Sequence, residues 1–176
     1  MISWRTRRRA TFRSPLLLVV KEAAQQIYER RERKDGFTRA RAYADLVGKP
    51  LLVVGVPKAL WNNHPCGDVT IDIESSVKGA CSFQIADVRS IPYPDKYFGA
   101  SFTSHVLEHL LTIEDAKKAL RELHRVSDKV FVVSPHKDSL LAWMHPTHHL
   151  WISEEDGAFK IESRASKHRR RFRNYA

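Results

Sequence analysis

Polar residues stand at the ends of the apolar segments of this 176-residue chain. In chain order they are Gly55, Asp72, Asp87, Ser104, His105 and the segment 134–136. An ionised carboxylate accepts hydrogen bonds, so Asp72 is suited to a pair of vicinal hydroxyls such as those of ribose, and Asp87 to an exocyclic amine such as that of adenine. The pattern therefore indicates a site for a nucleoside.

Short apolar segments predict the strands that would carry these residues. They lie at 51–56, 69–73, 82–86, 99–103 and 129–133, with a sixth candidate at 159–162. The first is a continuous aliphatic run, which is typical of a strand buried on both faces of a parallel sheet. Because parallel strands end at one edge of their sheet, the polar residues are expected to meet there.

Helical segments alternate with these strands. Helices are predicted over 21–34, with Asp35-Gly36 as a stop, over 38–47, and from about 105 to 126. The alternation predicts an α/β fold, Rossmann-like, small and partly truncated, in which a mostly parallel, doubly wound sheet is the middle of three layers.

The length is that of a single domain, and 43% hydrophobic residues supply a core for it. The charge is placed at the ends. The formal net charge is +10, and residues 1–13 and 160–176 hold twelve of the 30 basic residues and one of the 20 acidic ones. We therefore predict a basic arm over 1–20, a domain over 21–162 and a basic tail over 163–176. Such ends solubilise a protein or contact nucleic acid nonspecifically, because they neutralise phosphates without reading bases.

The cellular compartment is predicted from the cysteines and the N-terminal composition. Cys66 and Cys81 form no CxxC pair, which favours a reducing, cytoplasmic setting in which a disulfide is not indicated. The absence of acidic residues before Glu22 is also typical of an organellar transit peptide, so that alternative stays open. No apolar run reaches the roughly 20 residues of a membrane-spanning helix.

A longer motif joins the third and fourth strands. Residues 87–98 read DVRSIPYPDKYF, and residues 104–110 read SHVLEHL. Here the chain resembles the class I S-adenosylmethionine-dependent methyltransferases, particularly the type 11-like branch, in which Asp-x-x-x-Ile/Leu-Pro-[FY]-x-[DE]-x-x-Phe joins these strands. Residues 119–126 and 145–153 are similar to a later helix and a substrate-side loop of that family.

The resemblance implies S-adenosylmethionine as the cofactor and methyl transfer as the activity. It also implies cofactor contacts from the ends of the first four strands, namely Gly55, Asp72, Ile73, Asp87, Val88 and Ser104. No motif specifies the methyl acceptor or the oligomeric state, since this fold serves acceptors from small metabolites to nucleic acids.

The turn after the first strand departs from the family pattern. That turn usually reads acid-x-Gly-x-Gly-x-Gly, whereas residues 53–59 read VVGVPKA and keep Gly55 alone. Gly99 stands where the family usually has Asp, and His64-Pro65 interrupts the following helix. Two interpretations follow: a variant turn that still holds the cofactor, or a noncatalytic methyltransferase-like module that binds nucleic acid or a protein through its basic ends.

Histidines are the candidate proton acceptors, because imidazole titrates near neutral pH. His105 follows the fourth strand and His148 lies in the substrate-side loop, so both are predicted catalytic residues. Two histidine patterns also invite a metal interpretation: His-x-x-Glu-His over 105–109, and the histidines within 145–149. The first lacks a third ligand and a hydrolase architecture, and the second lacks a cysteine or another cluster, so no metal site is predicted.

Overall fold

The computed structural model describes residues 15–56, 65–75 and 83–164. Its elements are, in chain order, α1 (Pro15–Val47), β1 (Leu51–Val54), β2 (Val69–Asp72), β3 (Gln84–Ile85), β4 (Phe98–Ser104), a 3-10 turn (Leu107–His109), α2 (Ile113–Val126), β5 (Ser127–Val133), α3 (Leu140–Met144), β6 (Leu150–Glu155) and β7 (Ala158–Ser163). Within these ranges no helix combines the length and the apolar character that crossing a bilayer requires.

Some predictions concern residues outside the described ranges. These are most of both basic ends, residues 57–59 of the turn after β1, His64 and Cys81. Cys66 is described, and it is disulfide-bonded. The cysteine spacing did not indicate this bond, because distance along the chain says little about proximity in the fold.

Five strands form one parallel sheet in the order β3-β2-β1-β4-β5. All four neighbouring pairs are parallel. The chain proceeds outward from β1 in one direction through β2 and β3, then returns to the other side of β1 for β4 and β5. The predicted α/β class, with a mostly parallel Rossmann-like sheet, is confirmed.

The sheet is covered on both faces. Leu51 and Val53 of β1 pack with α1 in one buried cluster, while Leu52 and Val54 pack with α2 in another. All four side chains are at most 4% exposed. Coverage of both faces explains why β1 is continuously aliphatic instead of alternating between apolar and polar residues.

Helix α1 is one continuous helix of 33 residues, so the prediction of two helices with a stop at Asp35-Gly36 was wrong. Gly36 lies where the helix approaches the sheet. A Cβ at this position would stand 2.8 Å from Val133 Cγ2 and 3.1 Å from Phe102 Cε2. The glycine therefore serves the packing of α1 on β4 and β5 and does not end the helix.

Two other predicted elements differ from the structure. The helix expected from about 105 to 126 is divided into the 3-10 turn and α2. Helix α2 begins after Thr112, whose hydroxyl caps it by accepting a hydrogen bond from the Asp115 N–H. The sixth strand candidate lies in β7, which pairs antiparallel with β6 in a separate two-stranded sheet. Part of the predicted substrate-side loop is thus strand β6.

Replacing Gly36 with Ala tests the close approach of α1 to the sheet. In an ordinary helix interior this change stabilises by roughly 0.5–1 kcal/mol, because Ala has the higher helix propensity. Here we expect a loss of about 1–3 kcal/mol from overpacking against Val133 and Phe102. Urea denaturation followed by circular dichroism measures the change. Asp35→Ala, exposed on the same helix, should be neutral or stabilising, and a stabilised Gly36→Ala protein would contradict the contact.

Candidate functional site

The carboxyl ends of the strands bring the predicted residues to one edge of the sheet. Gly55 follows β1, Asp72 ends β2 and Ser104 ends β4. In the parallel register of β2 and β3, Asp72 is the partner of Ile85, and Asp87 follows two residues later. The two predicted cofactor carboxylates therefore follow neighbouring strands at the same edge.

The turn after β1 requires a glycine at position 55. Gly55 has a φ of 89°, a conformation that side chains disfavour. A Cβ at this position would also lie 2.7 Å from Val106 Cγ2, in the segment after β4. The Gly55 N–H donates to the Ile71 carbonyl at 2.8 Å. The one glycine retained from the family turn thus lets the β1 and β4 ends approach each other.

Asp72 holds the loops after β1 and β2 together. Its Oδ2 accepts a hydrogen bond of 2.9 Å from the Val56 N–H, and its Oδ1 accepts one of 3.0 Å from the Glu74 N–H. Each carboxylate oxygen has more than one lone pair, so Asp72 keeps acceptor capacity for hydroxyl donors. The arrangement is compatible with a ribose diol.

Asp87 is engaged by a neighbouring arginine. Arg89 Nε lies 3.0 Å from Oδ1 and Arg89 Nη2 lies 2.6 Å from Oδ2, while Nη1 donates to Asp115 of α2 at 2.8 Å. The hydrogen bonds from Arg89 hold the pKa of Asp87 below its ordinary value. A ligand amine at Asp87 would therefore have to share this carboxylate with Arg89 or displace it.

The other predicted cofactor residues have diverse surroundings. Ile73 is 65% exposed, whereas Val88 belongs to the buried core, so its side chain packs against apolar neighbours. Ser104 is buried, and among the described residues its hydroxyl finds no hydrogen-bond partner. Val88 can therefore contact a ligand at this edge only through its backbone.

Glu108 is a candidate that the sequence showed only as part of a motif. It is 1% exposed, and neither of its carboxyl oxygens makes a hydrogen bond of ordinary geometry within the described part of the chain. Its Oε1 lies 3.5 Å from His105 Nδ1 and 4.0 Å from His148 Nε2. The two histidines predicted to be catalytic are thus brought together around one buried carboxyl group.

Burial sets the protonation of this cluster. It raises the pKa of Glu108 to about 8, with Arg33 acting in the opposite direction. It lowers the pKa of His148 to about 4, an effect reinforced by His109 and His145. Near pH 7 the carboxyl group is mainly protonated and the His148 imidazole is neutral.

The N-terminal half of α1 contacts the segment after β5, at the carboxyl edge of the sheet. Glu29 Oε1 accepts a hydrogen bond of 3.2 Å from the His136 N–H, and Glu22 Oε2 accepts one of 2.7 Å from the Leu140 N–H at the start of α3. Sequence reasoning missed these contacts, because each joins residues more than 100 positions apart.

A separate groove of about 470 Å³ between α1 and β5 contains none of the predicted site residues.

Comparison with known proteins supports the family. Residues 68–129 match a family model described as a methyltransferase domain, and this stretch includes Asp72, Asp87 and Glu108. No curated protein matches the chain. The match and the strand order support the class I S-adenosylmethionine-dependent methyltransferase family, so the family predicted from the motifs is confirmed. The matched range begins after Gly55, whose turn is the part of the chain that departs from the family.

The pKa values of Glu108 and His148 determine how stability depends on pH. The pKa of Glu108 is higher in the folded state, so its stabilising contribution is full below pH 4.5 and is lost as the pH rises to about 8. The pKa of His148 is lower in the folded state, so its contribution is full above pH 6.5 and is lost as the pH falls to about 4. Below pH 6.5 the contributions of Glu108 and His148 change the stability in opposite directions as the pH changes. From pH 6.5 to 8 only the contribution of Glu108 changes.

We therefore expect the free energy of unfolding to fall by up to about 2 kcal/mol between pH 6.5 and 8, since one pKa unit corresponds to about 1.4 kcal/mol. Glu108→Gln keeps the shape but stays uncharged, so it should remove this fall. Urea denaturation across this range, in the presence of a chelator, measures it. Glu114→Gln, on the exposed side of α2, should retain the wild-type slope, and an unchanged slope in Glu108→Gln would contradict the assignment.

Proposed function

We propose that this protein transfers the methyl group of S-adenosylmethionine to an acceptor oxygen, nitrogen or carbon. The observation that carries the proposal is the parallel alignment that places Asp72 and Asp87 at the carboxyl edge, beside a turn where only glycine fits. The topology supports it further, since ligands of open α/β sheets bind at this edge near the point where the strand order reverses.

The proposed cofactor contacts divide by chemistry. Asp72 accepts hydrogen bonds from the ribose hydroxyls, and Asp87 accepts one from the adenine amine. Gly55 leaves room for the ligand, and Ser104 offers a hydroxyl at the end of β4. Ile73, which follows β2, and Val88, which follows β3, complete the set of proposed cofactor contacts.

When bound, S-adenosylmethionine supplies an electrophilic methyl group on a sulfonium. The protein holds and orients the reactants, excludes water, and accepts the proton that the acceptor loses. We assign proton acceptance to His105, because its side chain is 19% exposed, whereas that of His148 is 7% exposed. The low pKa of His148 also makes it the weaker base.

A second candidate function is a noncatalytic methyltransferase-like module that binds nucleic acid or a protein partner. The pairing of Asp87 with Arg89 favours it, because the guanidinium occupies part of the carboxylate that the adenine amine would need. The basic ends that would contact nucleic acid lie outside the described residues, apart from Lys160 and Arg164. Nucleic-acid binding that weakens steeply with salt would be its signature.

Calorimetric titration of the full chain with S-adenosylmethionine and S-adenosylhomocysteine tests the first proposal. We expect micromolar binding, and at least ten-fold weaker binding to Asp72→Ala, because that variant loses the acceptor for the ribose hydroxyls. Asp72→Asn keeps one acceptor oxygen and should fall between the two.

Asp128→Ala is the matched control for this titration. Asp128 lies at the start of β5, on the opposite edge of the sheet, where it pairs with Lys49. This variant should bind both ligands as the wild type does, and thermal unfolding confirms that each variant is folded. Absence of binding to the wild type would overturn the methyltransferase proposal and leave the noncatalytic module.

A further inference from the structure

Three histidines from two separate segments meet beside the 3-10 turn. His109 ends that turn, while His145 and His148 lie between α3 and β6. One nitrogen from each lies within 4.8 Å of the others. The rings of His145 and His148 are stacked with centroids 4.3 Å apart, and the His109 ring lies 4.8 Å from that of His148. We refer to His109, His145 and His148 as the three-histidine group.

The hydrogen bonds of the group favour particular nitrogens as ligands. His109 Nδ1 lies 3.1 Å from the Thr147 carbonyl, which only accepts, so Nδ1 carries the proton and Nε2 carries the lone pair. The Thr147 hydroxyl lies 2.8 Å from His109 Nδ1 and 3.1 Å from His145 Nδ1. Thr147 therefore contacts the outer nitrogens of two rings, as partners of metal-bound histidines do.

The third ring has a similar partner on its other side. His148 Nε2 lies 4.0 Å from Glu108 Oε1, while Nδ1 is buried and makes no hydrogen bond of ordinary geometry to a described residue. At 4.0 Å this carboxyl group lies beyond hydrogen-bond distance, so it must approach by about an ångström to orient the imidazole as the outer partners of metal-bound histidines do. Such an arrangement leaves Nδ1 as the nitrogen of His148 that can bind a metal.

Backbone contacts hold the histidine loop in place. Arg164 donates to the carbonyls of Trp143, His145 and His148. The His149 N–H donates to the Glu108 carbonyl at 2.8 Å, which ties the loop to the 3-10 turn. The positive charge of Arg164 repels a cation bound nearby, but its N–H groups are directed at these carbonyls. The loop is therefore fixed before any ligand binds.

We propose that the three-histidine group binds a divalent transition-metal ion, with Zn²⁺ the best match. Three imidazole nitrogens are a recognised zinc ligand set, with water or another ligand in the fourth position, whereas Mg²⁺ and Ca²⁺ prefer oxygen ligands. Zinc–nitrogen bonds of about 2.0–2.1 Å place tetrahedral ligands about 3.4 Å apart. The nitrogens lie up to 4.8 Å apart and must therefore approach by up to about 1.4 Å, which rotation of the exposed His109 and His145 side chains permits.

A metal ion here would join the segment after β4 to the loop before β6. His105 and Glu108 lie in the first of these segments, so the ion would hold the backbone on which both residues stand. The metal proposal does not rest on cofactor binding, since no residue of the group is among the proposed cofactor contacts.

Titration of the chelator-treated full chain with Co²⁺ tests the metal site, because cobalt in a tetrahedral nitrogen site absorbs visible light. We expect one equivalent of Co²⁺ to saturate the spectrum and Zn²⁺ to abolish it. His109→Ala and His145→Ala should each weaken the affinity at least ten-fold. Both residues are exposed, and thermal unfolding without metal checks that the variants fold.

His149→Ala and His124→Ala are the matched controls. His149 lies in the same loop, and His124 lies on α2 outside the group, so both variants should bind Co²⁺ as the wild type does. A wild type without a saturable spectrum overturns the proposal. Equal losses in the control and ligand variants overturn it as well. Titration with S-adenosylmethionine is a separate readout, so failure of the metal site and failure of cofactor binding are distinguishable.

Discussion

Parallel pairing of five strands is the constraint on which the rest of this structure depends. It brings residues that are scattered along the sequence to one edge, and the strand order places the loops after β1 and β4 on either side of the point where the order reverses. Gly55 and Val106 approach each other at that point. Helices α1 and α2 cover the two faces and leave this edge as the place where polar groups collect.

The edge has two electrostatically different halves. At the ends of β2 and β3, Asp72 and Asp87 accept hydrogen bonds from backbone N–H groups and from Arg89, as suits carboxylates that bind hydroxyl and amine donors. Beyond β4, burial keeps Glu108 mainly protonated and His148 neutral near pH 7. The proposed methyl transfer would use the two halves differently, with the charged half as the proposed cofactor side and the buried, neutral half as a place from which water is excluded.

The sheet and the carboxylates could be predicted from sequence because their signals are local. A run such as Leu51–Val54 is recognisable by itself, and Asp72 ends β2 while Asp87 comes two residues after the end of β3. Gly36 was misinterpreted because a glycine within a helical pattern indicates a stop until its neighbours are known. The neighbours of Gly36 are Phe102 in β4 and Val133 in β5, far along the chain.

The cluster around Glu108 and the three histidines could not be predicted for the same reason. Glu108 is buried by segments remote in sequence, and His109 contacts Thr147 across 38 positions. The histidines were visible, but their convergence was not, because it follows from contacts between the loop before β6 and the 3-10 turn, such as the hydrogen bond from the His149 N–H to the Glu108 carbonyl. Alternation of polar and apolar residues identifies a strand, yet it does not say which sheet the strand joins.

A crystal structure of the full chain with S-adenosylhomocysteine tests the central claim most directly. The account predicts the ribose hydroxyls within hydrogen-bond distance of the Asp72 carboxylate and the adenine amine at Asp87, with Arg89 turned away. A ligand seated elsewhere, for example in the groove between α1 and β5, would contradict the account.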